Sequence, residues 1–119
     1  MCIRDSDKGA IVSPALSKEN CKVISDVMGV EVLQKKIAGT HLAGVALRAN
    51  NTGAAIHPEA EEKDIEIIAD VLGVNVEQSS INGGVPYVSS GILANNHCIV
   101  VGSLTNGPEI MNLTKAFLN

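Results

Sequence analysis

Along the chain, short runs of consecutive apolar residues alternate with stretches whose apolar residues fall three and four apart. Runs bounded by Gly, Pro and Asn mark strands, and the wider spacing marks amphipathic helices. The pattern predicts strands over residues 9–12, 31–34 and about 42–49, then over 54–56, 74–78 and about 85–94. A first helix opens near Ser17, a good N-cap, with Asn20 where a full capping box needs Glu or Gln. Val23, Ile24, Val27 and Met28 share its apolar face, and Gly29 stops it. In a second helix Ile65, Ile68 and Leu72, flanked by Ile67 and Val71, form the same face, and Gly73 repeats the stop. Glu59, Glu61 and Glu62 sit at its N-terminal end, where the helix dipole favours anions. A third helix takes Pro108 in its first turn and puts Ile110, Leu113 and Phe117 on one side.

These elements recur because the sequence does. Lys8-Gly9-Ala10-Ile11-Val12-Ser13-Pro14 returns as Thr52-Gly53-Ala54-Ala55-Ile56-His57-Pro58, and residues 24–32 return as residues 68–76, both at an offset of 44. Ile37-Ala38-Gly39 matches Ile81-Asn82-Gly83 at that spacing, whereas Ala49-Asn50-Asn51 returns one residue late as Ala94-Asn95-Asn96. One insertion between Gly83 and Gly91 accounts for the slip. A third unit opens at Asn96 and holds a single strand and helix before Asn119. The units therefore span about residues 7–50, 51–95 and 96–119 of one domain over residues 6–119, and residues 1–5, which match nothing in the repeat, are set aside as a non-native junction. A striped helix over two or three short strands cannot close a core in about 44 residues, so each unit must cover its neighbour.

Composition narrows the classes. The chain has 119 residues, 45% of them hydrophobic, with a net charge of -4, which fits one folded domain and not a disordered segment. Nothing approaches a membrane span, and the first residues lack the apolar core of a secretory signal, so no membrane partner is expected and the location expected is the cytoplasm. Only Lys35 and Lys36 are adjacent basic residues, and Tyr87 and Phe117 are the sole aromatics. That excludes binding of nucleic acid chiefly through phosphates or by base stacking. Cys2, Cys21 and Cys98 are odd in number and widely spaced, so they indicate no disulfide frame and no zinc ribbon.

The runs Asp7-Lys8-Gly9-Ala10-Ile11-Val12-Ser13-Pro14, Gly53-Ala54-Ala55-Ile56-His57-Pro58 and Gly102-Ser103-Leu104-Thr105-Asn106-Gly107-Pro108-Glu109 resemble, in order and gap length, the C-terminal half of the archaeal and eukaryotic translation initiation factor 6 family. The resemblance covers nearly all of residues 6–119 and implies a fragment lacking its N-terminal half. It implies a pentein-type α/β propeller of pseudo-fivefold symmetry, with about two and a half blades present and helices near the axis. It also implies a non-enzymatic anti-association factor that binds the large ribosomal subunit, through ribosomal proteins near the sarcin-ricin loop, and blocks joining of the small subunit. No cofactor and no small-molecule substrate belong to that role. Family contact positions carry over to Gly44, Val45 and Ala46 and to Ser90, Gly91 and Ile92. Other members have more polar or aromatic side chains where Val45 and Ala46 stand, and plain strand packing competes as the reading of these positions. An incomplete set of units is expected to self-associate through its open edges.

Other constellations are weaker. The implied fold includes enzymes that attack guanidino carbons with a cysteine, so Cys98 with His57 or His97 is the alternative. Such chemistry needs a lowered thiol pKa and a base in reach, and Cys98 occupies the strand position of Gly9 and Gly53. A structural fragment without activity is the third reading. His41, His57 and His97 sit at different phases of the repeat without metal-ligand spacing, and His57-Pro58 reads as a turn. Glu59, Glu61, Glu62, Asp64, Glu66 and Asp70 read as a solvated helix face, not as paired catalytic carboxylates. Residues 39–44 carry no following Lys-Ser or Lys-Thr, so they form no phosphate loop.

Overall fold

A computed structural model of the chain describes residues 2–118; Met1, part of the junction set aside above, and Asn119 lie outside the described residues. In chain order the elements are β1 (Ile3–Asp5), β2 (Gly9–Val12), α1 (Lys18–Met28), β3 (Glu31–Gln34), α2 (Ala43–Ala46), β4 (Leu47–Ala49), β5 (Gly53–Ile56), α3 (Glu62–Leu72), β6 (Asn75–Gln78), a 3-10 turn (Val88–Gly91), β7 (Ile92–Ala94), β8 (Ile99–Val101) and α4 (Gly107–Phe117). Local chemistry sets several of the helix ends. Ser17 caps α1 by accepting from the Asn20 amide, and Gly29 and Gly73 end α1 and α3 with φ of 67°, a value a β-carbon disfavours. Asn106 and Glu109 form a full capping box at α4.

Two sheets share one plan. β1 and β3 flank β2, antiparallel and parallel respectively, and β4 and β6 flank β5 in the same senses. Gly9 pairs with Glu31 and Gly53 with Asn75, a register shifted by 44 residues in both strands. The last sheet contains β7 and β8 alone. The central strands are buried along their whole length because a helix from the following unit lies on each. α3 sets Ile68, Val71 and Leu72 against Ile11 of the first sheet. α4 sets Leu113, Ala116 and Phe117 against Ala55 of the second. Both approaches demand glycine: a β-carbon at Gly9 would overlap the Val71 carbonyl oxygen, and one at Gly53 would overlap that of Ala116.

The pentein-type propeller with pseudo-fivefold symmetry is not what the chain forms. Its strands sort into three separate sheets of three, three and two strands, none closed, in a small mixed α/β fold of 42 × 28 × 23 Å. The reason lies in pairing. The last strand of each of the first two sequence units leaves its own sheet and pairs with the opening strand of the next, β4 with β5 and β7 with β8, and among the described residues no strand pairing joins one sheet to another. α3 and α4 therefore each lie on the sheet of the preceding unit. The strands expected over 42–49 and 85–94 begin only at Leu47 and Ile92, because α2 and the 3-10 turn occupy the preceding residues. Ile110, expected on the buried side of α4, is 45% exposed. Among the residues set aside as a junction, Ile3–Asp5 pair with β2 as β1.

Turn residues complete the stacking. The Asn51 side chain accepts from the Asp7 amide and donates to the Asp7 carboxylate, while the Asn51 amide donates to Asn96 Oδ1. Asn50 Nδ2 donates to the Asn95 carbonyl at 2.8 Å. These bonds tie three turns edge to edge.

Replacing Gly53 by Ala is expected to destabilise the chain by about 2 kcal/mol, the scale of overpacking in a filled interior. Urea unfolding monitored by circular dichroism measures it, and an unchanged midpoint would contradict the close helix approach.

Candidate functional site

The two carried-over triplets come together. Gly44, Val45 and Ala46 lie in α2, a single turn, while Ser90 and Gly91 end the 3-10 turn and Ile92 opens β7. α2 packs directly on that turn. Only Ser90 is fully at the surface; Val45 and Gly91 are half-buried, and Gly44, Ala46 and Ile92 are buried. The surface these positions can offer a partner is therefore Ser90 with the edges of Val45 and Gly91, and the other three act through packing.

Arg4 ties the region to the first sheet. Its Nη2 donates to the Gly44 carbonyl at 2.6 Å and to Ser89 Oγ at 2.8 Å, and its Nε donates to the Leu47 carbonyl at 2.8 Å. Burial, and then the neighbouring Arg48, lower its pKa from the ordinary value, and Asp5 opposes them. Sequence reasoning missed this residue because it had set residues 1–5 aside.

Beside Ser90 lies a shallow cavity of about 350 Å³, lined by Asn82, Ser89, Ser90, Gly91, Leu93 and Val100 among others. Asn82 adopts a φ of 51°, which costs a residue with a β-carbon, yet its side chain fits between two glycines. A β-carbon at Gly91 would stand 2.8 Å from Asn82 Nδ2, and one at Gly102 would collide with Asn82 Oδ1. Polar edges from Asn82, Ser89 and Ser90 thus meet the apolar surface of Leu93 and Val100, a combination suited to a protein surface more than to bare phosphate.

Glu109 holds the loop that carries Asn82. It is 4% exposed, and its carboxylate accepts from Ser80 Oγ and from the amides of Gly83 at 2.8 Å, Gly84 at 2.9 Å and Asn106 at 3.0 Å. Burial opposes the charge, but these donors outweigh it, Ser80 foremost, and hold the carboxyl down at about 2. Asp64 occupies the corresponding place in α3; one methylene shorter, it pairs with Lys35 at 2.7 Å. The spacing of Asn106 and Glu109 carried the capping signal in the sequence, but the partners in the 80–84 loop are visible only in three dimensions.

The remaining chemistry-bearing residues are dispersed. His57 is buried, its Nδ1 accepts from the Glu59 amide at 3.1 Å, and its ring meets Tyr87 edge-on with centroids 5.6 Å apart. His41 and His97 are exposed. Cys2 and Cys98 are exposed free thiols, and Cys21 is half-buried. The cavity beside Cys98 is lined by Arg48, Leu93, Ala94, Asn95 and Val100, with neither a histidine nor a carboxylate among the described lining residues. Among the described residues no group of three His, Cys, Asp or Glu is placed to hold a metal, and no helix is long and apolar enough to cross a membrane.

Comparison with known proteins gives consistent matches. The model of the eIF-6 family matches residues 2–116. A translation initiation factor 6 of Nitrosopumilus maritimus is 75% identical over 114 residues, which are 96% of this chain and 52% of that protein. Proteins of the same name from Cenarchaeum symbiosum and Pyrococcus furiosus are each 58% identical, over 94% and 96% of this chain and 51% and 50% of their own lengths. The chain thus spans about half the length of the curated relatives it matches.

Glu109→Gln leaves one acceptor and places an NH2 group against backbone donors, so a loss of about 2 kcal/mol at neutral pH is expected. The depressed carboxyl contributes stability that is fully present above the unfolded value near 4.3 and is lost as pH falls through about 2. Unfolding followed from pH 5 to pH 2 should show this acid-sensitive increment in the parent chain and not in the variant; equal slopes would refute the clamp.

Proposed function

The chain belongs to the eIF-6 family, and from that premise we propose that it is part of a ribosome anti-association factor, one that binds the large ribosomal subunit and prevents premature joining of the small subunit. The family match over residues 2–116 is the observation that carries this reading. The action is by occupancy: a folded body on the intersubunit face excludes the other subunit without making or breaking a bond, so the chain is no enzyme and takes no cofactor and no small-molecule substrate. It works in the cytoplasm, away from membranes.

The partners are basic ribosomal proteins near the sarcin-ricin loop. A net charge of -4 favours approach to such proteins and disfavours bare phosphate. We assign the contact to the surface that exposes Ser90 and the edges of Val45 and Gly91, with the buried Gly44, Ala46 and Ile92 setting its shape. The guanidino-group alternative through Cys98 has no comparable support, since the lining of the adjacent cavity supplies no base. The exposed Val27, Leu93 and Val100 support self-association of the chain as well.

Cosedimentation with purified large subunits, run beside the Nitrosopumilus relative, tests the main reading. The chain is expected in the large-subunit fraction, and its addition should lower the yield of joined subunits. Absence from that fraction while the relative binds would overturn the proposal. Ser90→Lys is expected to weaken binding about tenfold, or about 1.4 kcal/mol, by facing like charge on a basic partner.

A further inference from the structure

The chain contains two Asn-Gly pairs, Asn82-Gly83 and Asn106-Gly107, and Glu109 bonds to both. Such a pair can react within the chain, because glycine has no side chain to keep its amide nitrogen from the side-chain amide before it. That nitrogen attacks Cγ of the asparagine: the new N–C bond closes a five-membered imide, the bond from Cγ to Nδ2 breaks, and ammonia leaves. Water then opens the ring at either carbonyl, giving aspartate or isoaspartate.

Glu109 touches the two pairs differently. Its Oε1 accepts from the Gly83 amide, the nucleophile of the first pair, at 2.8 Å, whereas its backbone amide donates to Asn106 Oδ1 at 3.0 Å and so holds the side chain of the second. At the first pair the bond opposes ring closure. The Gly83 N–H is committed to a carboxylate, and the negative charge beside it disfavours the amide anion that attacks. Gly84 donates to the other oxygen at 2.9 Å, which fixes the next peptide plane as well. The Asn82 side chain is wedged between Gly91 and Gly102, which restricts the rotation that brings Cγ to the nitrogen. Burial is not the protection, since Gly83 is exposed and Asn82 half-buried, with water at hand.

The repeat supplies a comparison. Ala38 and Gly39 hold the same backbone place, with φ of 50° and 80° against 51° and 78° for Asn82 and Gly83, so the turn does not require asparagine. There Asp64 pairs with Lys35 instead of a loop amide. The reactive pair and the carboxylate clamp occur together, in the second unit.

We propose that Asn82 is a modification site, one of spontaneous deamidation through an imide, which Glu109 keeps latent for as long as it holds the Gly83 amide. Release of the 80–84 loop opens the site, and the product puts a carboxylate in the wall of the cavity beside Ser90. This does not depend on the ribosomal reading.

Peptide mapping by mass spectrometry, after incubation of the full chain at mildly alkaline pH, measures it, with each asparagine scored against its own rate in urea. In the native chain Asn82 is expected to react at least about tenfold more slowly than in urea, since only the opened loop reacts. Glu109→Ala removes the carboxylate and keeps the residue-109 amide, so the Asn82 rate should rise about tenfold while that of Asn106 stays within about twofold. Chromatography should find isoaspartate beside aspartate at position 82, the mark of the imide. A native Asn82 rate equal to that in urea would overturn the proposal. So would an equal rise at both asparagines in the variant, no rise at Asn82, or aspartate without isoaspartate.

Discussion

Two helices come so near the sheets beneath them that a backbone carbonyl fills the space a side chain would need. The oxygen of Val71 rests on Gly9 and that of Ala116 on Gly53. Much of the remaining architecture follows from this proximity. It lets Leu72 and Phe117 reach full burial in the two apolar clusters, and it puts the helix ends within reach of the Ser6 and Thr52 hydroxyls. Packing at that density tolerates no extra methyl group, so the glycines act as steric requirements.

Because each helix covers the sheet of the preceding unit, the core is shared between neighbours. Excising the middle unit would expose both clusters, and excising either outer unit would expose one. The strand exchange works in the same direction: β4 and β7 leave the units that precede them and pair with the units that follow. An open series results, held at one edge by the Asp7, Asn51 and Asn96 ladder and spanned by Arg4, which reaches Gly44, Leu47 and Ser89. The candidate contact surface sits where that arginine and the Glu109 loop converge. Its shape thus depends on groups from both ends of the chain and not on the α2 and 3-10 turns alone.

Burial of a carboxylate at Glu109 would ordinarily be unfavourable. Four donors convert it into the fixed point of the 80–84 loop, and Asn82 keeps its left-handed conformation there. The corresponding Asp64 makes an ion pair with Lys35 in place of a loop clamp. A one-methylene difference, together with the extra Gly84, gives two related loops distinct surfaces, and only the second borders Ser90. The inserted residue between Gly83 and Gly91 that breaks the sequence offset thus coincides with the part of the fold that is shaped differently from its counterpart.

Helix placement and termination were determined by the sequence itself: Ser17, Gly29, Gly73 and Pro108 act on backbone groups within one or two turns, and the 44-residue recurrence set the same registers in β2 and β5. Family membership was legible in three motifs for the same reason, since their order and gaps are properties of the chain alone. The pentein-type propeller was not a valid extension of that pattern, because strand pairing between units is a long-range choice that residue spacing leaves open. Likewise the reach of Arg4 and the donors that the 80–84 loop supplies to Glu109 join residues 25 to 85 positions apart. No local propensity encodes such contacts; they exist only once neighbouring units have stacked.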